Sequence, residues 1–342
     1  MRYFINLSML NKKPTGVGVY CRQFFSHIKN DPRFIFLFIK ESRYLTFKRL
    51  FWNLFVLPLK AKTALVYSPS THGSLFLKNQ IITIHDLIAI NFPTQYKFQY
   101  YYFKYYVPLL IKKAKCIVAI SEFTKKEIEK YYKIDPSKIK VIYNGISFSE
   151  TKYSENEVKI LADLVEDKPF FVCIGASFSH KNIETLLQSI KIVENLDVRY
   201  VIIGRNNKYF KRLIELAKEL NLDNIVFLNY ISDELLALLY TRALANIYIS
   251  LYEGFGYPPM EAARFGTISV ISDIPVLKEI YGESMLYVNP TDILEIANRL
   301  IDIVNSPISK NEVFERTNYL FSKYSWDNTI KSVNELILNV EK

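Results

Sequence analysis

The sequence predicts an α/β chain of two doubly wound domains, each built on a parallel sheet, and three observations predict it. The chain has 342 residues, too many for one ordinary core. Short apolar runs alternate with amphipathic patterns of helical period, the signature of βα units. The alternation comes in two sets, with the polar segment Ser147–Asp167 between them and a turn signal, Asn144-Gly145, at its start.

In the first set, strands are expected at Tyr3–Leu7, Phe34–Ile39, Ala64–Tyr67, Ile81–Ile84, Cys116–Ile120 and Lys140–Tyr143. The opening run, Met1 to Leu7, has the pattern of a strand at a sheet edge. Helical periods cover Val17–Lys29, Lys97–Lys113 and Glu122–Tyr131, the last opened by an N-cap in Ser121-Glu-Phe-Thr124. In the second set, strands are expected at Phe170–Ile174, Arg199–Ile203, Ile225–Leu228, Asn246–Ile249 and Ile268–Ile271. Helices fit Ile183–Glu194, Lys208–Leu220, Asp233–Tyr240 and Ile293–Val304. The expected domains are residues 1–150 and 151–325, followed by an amphipathic helix within 326–342.

Half the residues are hydrophobic, yet no apolar run approaches the roughly 18 residues of a membrane span. Leu50–Leu59 is too short and contains Asn53 and Pro58. The N-terminus lacks the pattern of a signal peptide. Cys21, Cys116 and Cys173 stand apart and read as small core residues of a reducing compartment. Charge is divided unevenly: residues 1–150 carry 24 Lys and Arg against 8 Asp and Glu, and residues 151–342 carry 20 against 26. A net +16 beside a net −6 points to a first half that meets a polyanion.

The most informative segment is Glu253-Gly-Phe-Gly-Tyr-Pro-Pro-Met-Glu261. It follows a buried strand and runs into a short helix, Met260 to Phe265, that stops at Gly266. Pro259 suits the first helical position, which needs no N–H. Glu261 then lies in the first turn, with Glu253 on the loop before it. Gly254 and Gly256, around Phe255, let backbone N–H groups approach a ligand, and a helix start behind them favours an anion. Donors for a phosphate beside acceptors for hydroxyls suit a nucleotide sugar.

Gly175-Ala-Ser-Phe-Ser-His-Lys-Asn182 also follows a strand and opens a helix, so Lys181 can neutralise a diphosphate and Asn182 can cap. Thr15-Gly-Val-Gly-Val-Tyr20 presents Gly16 and Gly18 between the first strand and first helix. A third glycine is missing, with Cys21 in its place, which argues against a dinucleotide cofactor. His85, in Ile84-His85-Asp86-Leu87, ends a strand where open α/β sheets bind ligands. Asp-x-Asp, phosphate-loop and Gly-x-Ser-x-Gly motifs are absent, and no His or Cys spacing suggests a metal. The aromatic–lysine segment Phe92–Lys115, with Phe47–Lys60 as a second, has the composition of a membrane-interface helix, although a core helix with a solvated face fits equally. No nucleic-acid motif accompanies it.

Ser250-Leu-Tyr-Glu-Gly-Phe-Gly and Glu261-Ala-Ala-Arg-Phe-Gly266 closely resemble the Glu-x7-Glu motif of family-4 glycosyltransferases. His-Lys-Asn at 180–182, the glycine loop and the His-Asp at 85–86 resemble the same family. The resemblance implies a GT-B fold: two Rossmann-like domains with a cleft between them, and a last helix, with an aromatic near Trp326, that crosses back to the first. It implies a retaining glycosyltransferase in which Glu261 binds ribose hydroxyls and Glu253 sugar hydroxyls. Lys181 and the backbone of Gly254–Gly256 would stabilise the departing diphosphate. His85 would contact the sugar, and Gly16 and Gly18 would lie beside the donor phosphates. One departure stands out. Many members carry an Arg after the strand glycine, where this chain has Ala176 and Ser177, and Arg205 is a weak substitute.

The function expected is transfer of a sugar, mannose among the options, from a nucleoside-diphosphate donor to a membrane-associated glycan or lipid-linked acceptor in cell-surface polysaccharide synthesis. Neither metal nor other cofactor is expected. The expected location is cytoplasmic and peripheral on an anionic membrane face, with no nucleic-acid partner. A nucleotide-sugar epimerase and a non-catalytic, basic, surface-binding protein are the alternatives. The first needs acids and bases around the sugar that the N-terminal half does not show.

Overall fold

Twelve strands, all parallel, form two six-stranded sheets, one in each of two units of this computed structural model, which describes residues 2–10, 16–39, 45–146 and 153–341. Unit 1 comprises residues 1–147 and 323–342, and unit 2 residues 148–322. Thr15 and the start of the polar segment, 147–152, lie outside the described residues.

In unit 1 the strands are β1 (Tyr3–Asn6), β2 (Phe34–Leu37), β3 (Val66–Ser68), β4 (Gln80–Ile84), β5 (Cys116–Ala119) and β6 (Ile139–Val141), in the order β2-β1-β3-β4-β5-β6. The opening strand is therefore interior, not an edge: Ile5 stands opposite Phe36 on one side and Tyr67 on the other. Its alternation misleads because parallel sheets covered on both faces bury both sets of side chains. Residues after β1 and β3 stand where the strand order reverses, the usual ligand position of such sheets.

The helices of unit 1 are α1 (Val17–Ile28), α2 (Leu45–Phe51), α3 (Leu57–Ala61), α4 (Ile88–Asn91), α5 (Lys97–Tyr101), α6 (Val107–Lys113), α7 (Glu122–Tyr132) and, last in the chain, α16 (Trp326–Glu341). Ser121 caps α7 through the Thr124 N–H, as its spacing predicts. A π-helical turn, Trp52–Val56, joins α2 to α3, and another, Tyr102–Tyr106, joins α5 to α6. Each turn is followed by a proline in the second position, Pro58 and Pro108. Proline has no N–H and its ring crowds the carbonyl four residues back, so a widened turn lets the helix continue through it.

Helix α16 packs in unit 1. The Trp326 ring lies 5.2 Å from both Tyr20 and His27, and Val333, Leu336 and Ile337 join the same core. A Cβ on Gly145 would fall 2.6 Å from that indole, so glycine is there for close approach and not for the turn its dipeptide suggests. The Thr329 hydroxyl donates to the Tyr143 carbonyl at 2.8 Å, and the Ile146 N–H to the Tyr324 carbonyl at 2.9 Å.

Unit 2 contains β7 (Phe170–Ile174), β8 (Arg199–Ile203), β9 (Ile225–Leu228), β10 (Ala245–Tyr248), β11 (Ser269–Ser272) and β12 (Leu286–Val288), in the order β12-β11-β10-β7-β8-β9. Its helices are α8 (Glu155–Val165), α9 (Ile183–Ile192), α10 (Lys208–Glu219), α11 (Asp233–Arg242), α12 (Pro258–Arg264), α13 (Pro275–Tyr281), α14 (Ile293–Asn305) and α15 (Lys310–Lys323). The order reverses between β7 and β10, which puts residues 175–182 and 249–257 side by side at the sheet's carboxyl edge. Much of the expected polar separator is helix α8, opened by a capping box between Ser154 and Glu157.

Candidate functional site

Gly175 follows strand β7, and its φ of +92° favours glycine; a Cβ there would also meet the Lys181 side chain at 3.3 Å. The open space lets Lys181 run back over the strand end. Strand β10 supplies Tyr248 as its last residue and the loop beyond it supplies Glu253. Lys181 Nζ lies 2.6 Å from Glu253 Oε1 and donates to the Tyr248 hydroxyl at 3.0 Å, with the Tyr248 ring centroid 4.7 Å away. The two charged side chains retain only 15% and 12% exposure. The sequence places Lys181 and Glu253 as separate ligands of one donor; the structure makes them an ion pair. Tyr248 was missed, because a Tyr ending a buried strand carries no signal of its own.

Burial alone would raise the Glu253 carboxyl, but the Lys181 charge, with hydrogen bonds from Lys181 and Tyr248, overrides it and holds the group below its ordinary value. Burial, reinforced by Glu253, pushes the Tyr248 phenol well up. It pushes the neighbouring His180 down to about 4, keeping that imidazole neutral.

Asn182 stands at the start of α9 but does not cap it. It adopts a left-handed φ of +61°, and its amide donates to the Ile249 carbonyl at 3.2 Å and the Pro290 carbonyl at 2.6 Å. It thus ties the turn after β7 to the ends of β10 and β12, and α9 begins without a side-chain cap. The loop after β10 is fixed further: the Ser272 hydroxyl donates to the Ser250 carbonyl at 2.7 Å, and Tyr281 donates to the Gly256 carbonyl. Gly256 has a φ of +87°, which favours glycine, and Gly254 does not share that geometry. Phe255 buries its ring at 2% exposure and offers a ligand only its backbone.

The helix start at α12 differs from the expectation. Pro258, not Pro259, takes the first helical position, and Pro259 follows it. Neither has an N–H, and the next two, of Met260 and Glu261, already donate to the Tyr257 carbonyl at 2.9 and 3.0 Å. The prolines that mark this helix therefore remove the anion donors that a helix start would otherwise offer. Glu261 does lie in the first turn. Burial first, then the Asp233 charge, raise its carboxyl to about 7 against the opposing Tyr240 hydroxyl.

Arg205 is exposed beyond the end of β8, and its N–H donates to the Ser177 hydroxyl oxygen at 2.8 Å. Among the described residues no group of three His, Cys, Asp or Glu is placed to hold a metal ion. No helix among them is long and apolar enough to cross a membrane.

Unit 1 carries the other expected residues. Gly16 is exposed at the start of α1 with φ +46°, and Gly18 is buried in the first turn. His85 directly follows β4 at 9% exposure, its Nε2 3.1 Å from the Pro69 carbonyl and its ring 4.7 Å from that of Tyr20. Burial holds His85 down to about 4, so the ring is neutral; with Nε2–H donating to Pro69, Nδ1 is an acceptor.

Two family patterns match the chain: Glycosyltransferase Family 4 over residues 17–150 and Glycosyl transferases group 1 over 156–321. The O-antigen chain mannosyltransferase RfbU of Salmonella typhimurium is 32% identical over 264 residues, 76% of this chain and 69% of RfbU. Sucrose-phosphate synthase from Thermosynechococcus elongatus superposes with a TM-score of 0.79 at 18% identity, over 99% of both chains. Anabaena Alr3699/HepE, solved in complex with UDP and glucose, superposes at 0.75 and 16% identity over 99% of this chain and 100% of its own.

Proposed function

The chain belongs to the family-4 glycosyltransferases, of GT-B fold, and from that premise we propose that it moves a sugar from a nucleoside-diphosphate donor to a glycan or lipid-linked acceptor of a cell-surface polysaccharide. The observation that carries the donor half is the Lys181–Glu253 pair at the switch point of unit 2. When the diphosphate arrives, Lys181 exchanges Glu253 for phosphate oxygens, and Glu253 turns its freed oxygen to the sugar hydroxyls. Glu261 accepts from the ribose hydroxyls. As the glycosidic bond breaks, the cation of Lys181 stabilises the charge growing on the leaving diphosphate. His85 meets the transferred sugar as a neutral group. No side chain among the described residues stands out as a covalent nucleophile, so the acceptor hydroxyl attacks on the face the diphosphate leaves, with retention, and its proton passes to the departing diphosphate oxygen. The name of RfbU supports mannose as the sugar. A lysine in the place of a metal supports transfer without a divalent ion.

The acceptor half is read from unit 1. Residues 42–121 hold eleven Lys and Arg and one acid, Asp86. Phe47, Phe51, Phe55 and Leu59 recur every four residues on α2–α3, all half exposed or more, and the Phe55 ring lies 6.2 Å from exposed Phe76. Phe98, Tyr101, Tyr105 and Leu109 are likewise exposed on α5–α6. Apolar rings among unopposed cations suit an anionic lipid surface, where the acceptor resides. The experiment is a melting-temperature screen of nucleotide sugars, followed by incubation of each binder with and without anionic vesicles carrying acceptor. Sugar transfer to acceptor and vesicle binding that falls with salt are expected. A sugar isomerised with donor alone would replace this function with epimerisation, and equal binding to neutral vesicles would remove the membrane.

A further inference from the structure

A second polar centre stands in unit 1, where its strand order reverses between β1 and β3. Its hub is Asn6, the fully buried last residue of β1. The Asn6 amide donates towards Asn53 Oδ1 and Ser68 Oγ, each at 3.2 Å, and to the His72 carbonyl at 2.7 Å. Its Oδ1 accepts from the Ser8 N–H at 3.3 Å. One side chain thus gathers the loop after β1, the π-helical turn of α2–α3 and the loop after β3.

Around that hub, hydrogen-bonding capacity is left over. The buried Ser8 Oγ and His72 Nδ1 have no partner. Arg49, one turn before Asn53, is half buried and donates from Nε to the Ser8 carbonyl at 2.9 Å. It enters no ion pair among the described residues, and the ionisable Cys21 and Tyr102 that bear on it are held neutral by burial. The one acid in this stretch, Asp86, accepts from the Ile88 N–H at 2.9 Å. A guanidinium withdrawn from water without a counter-ion is costly, and such charges are normally paired. A hydroxyl and an imidazole left unmatched near it add to that cost.

Resting on the glycosyl-transfer reading, we propose that Arg49, His72 and Ser8 form an anion site that holds a phosphate group of the sugar acceptor. The guanidinium fork takes two phosphate oxygens. The remaining donors suit a tetrahedral oxyanion, which has more oxygens to satisfy than a carboxylate. The phosphate belongs either to a lipid-linked acceptor or to a phosphorylated sugar.

Calorimetry with inorganic phosphate tests the site in a Lys181→Ala background, where the donor cation is absent. Binding is expected there, at least tenfold weaker with Arg49→Met added, and a few-fold weaker with Ser8→Ala, which removes the hydroxyl and keeps the carbonyl that Arg49 meets. Arg49→Met should melt no lower than its parent, because an uncompensated charge is gone. Equal phosphate affinity with and without Arg49 overturns the site, and so does no binding to the Lys181→Ala protein. If Arg49→Met does not fold, the Ser8→Ala result decides alone. A short prenyl phosphate in detergent and a hexose 6-phosphate then separate the two sources. Tighter binding of either than of inorganic phosphate supports the acceptor, and tighter binding of neither removes it. A nucleoside diphosphate added to Arg49→Met in an otherwise wild-type chain scores the donor reading separately, since its binding is expected to be unchanged.

Discussion

Glu261→Gln separates what this carboxyl does for stability from what it does for the donor. The group is held at about 7 against an ordinary 4.5, first by burial and then by Asp233. Between those values the folded chain keeps a proton that the unfolded chain has released. Folding stability therefore falls as pH rises through that window, and the loss is complete above the folded value. The gap corresponds to up to about 3 kcal/mol at roughly 1.4 kcal/mol per pH unit. Glutamine does not titrate. The variant should match the wild type near pH 4.5 and exceed it by as much as about 3 kcal/mol at pH 8. Urea denaturation of both proteins at half-unit steps from pH 4.5 to 8.5 measures the difference. Donor affinity should move the other way: it should rise through pH 7 in the wild type and be flat and about tenfold weaker in Glu261→Gln. Parallel stability curves would refute the raised carboxyl, and unchanged donor affinity would refute its contact with the ribose.

Tyr248→Phe keeps the ring under Lys181 and removes the hydroxyl, so turnover should fall about five- to tenfold, equivalent to about 1 kcal/mol, with the melting temperature nearly unchanged. Steady-state transfer kinetics and a melting curve read both. Trp326→Ala should destabilise unit 1 by about 3–5 kcal/mol by emptying the space between Tyr20 and His27. Gly145→Ala should cost about 1–3 kcal/mol by forcing the same indole outward, and chemical denaturation measures both.

Strands with β-branched, fully buried runs were legible in the sequence, and those of unit 2 from β7 to β11 lie within one residue of expectation. The elements that escaped have weak local signals. Strand β12 has three residues, α13 opens on Pro275, and α15 buries only Val313, Thr317 and Leu320. Helix α8 was hidden by charges that its capping box uses. At the site, residue types and spacing revealed Lys181, Glu253 and Glu261. They could not reveal that Lys181 and Glu253 pair, which depends on β7 and β10 being neighbours despite the two strands that separate them in sequence. The proline pair before Glu261 was read as a helix start with donors to spare, yet those prolines remove the donors. Arg49 gave no sign in the sequence, since only folding shows that no acid among the described residues pairs with it.

The central claim is that Lys181, in exchange between Glu253 and the diphosphate, supplies the cation of the reaction. Its most direct test is transfer of a labelled sugar to acceptor after exhaustive chelation, by the wild type, Lys181→Ala and Lys181→Arg. Full wild-type turnover without divalent metal is expected, with a loss of about 100-fold or more in Lys181→Ala and partial activity in Lys181→Arg, whose charge is kept in a different shape. Abolition of wild-type turnover by EDTA, restored by magnesium or manganese, would contradict the claim, as would wild-type turnover by Lys181→Ala.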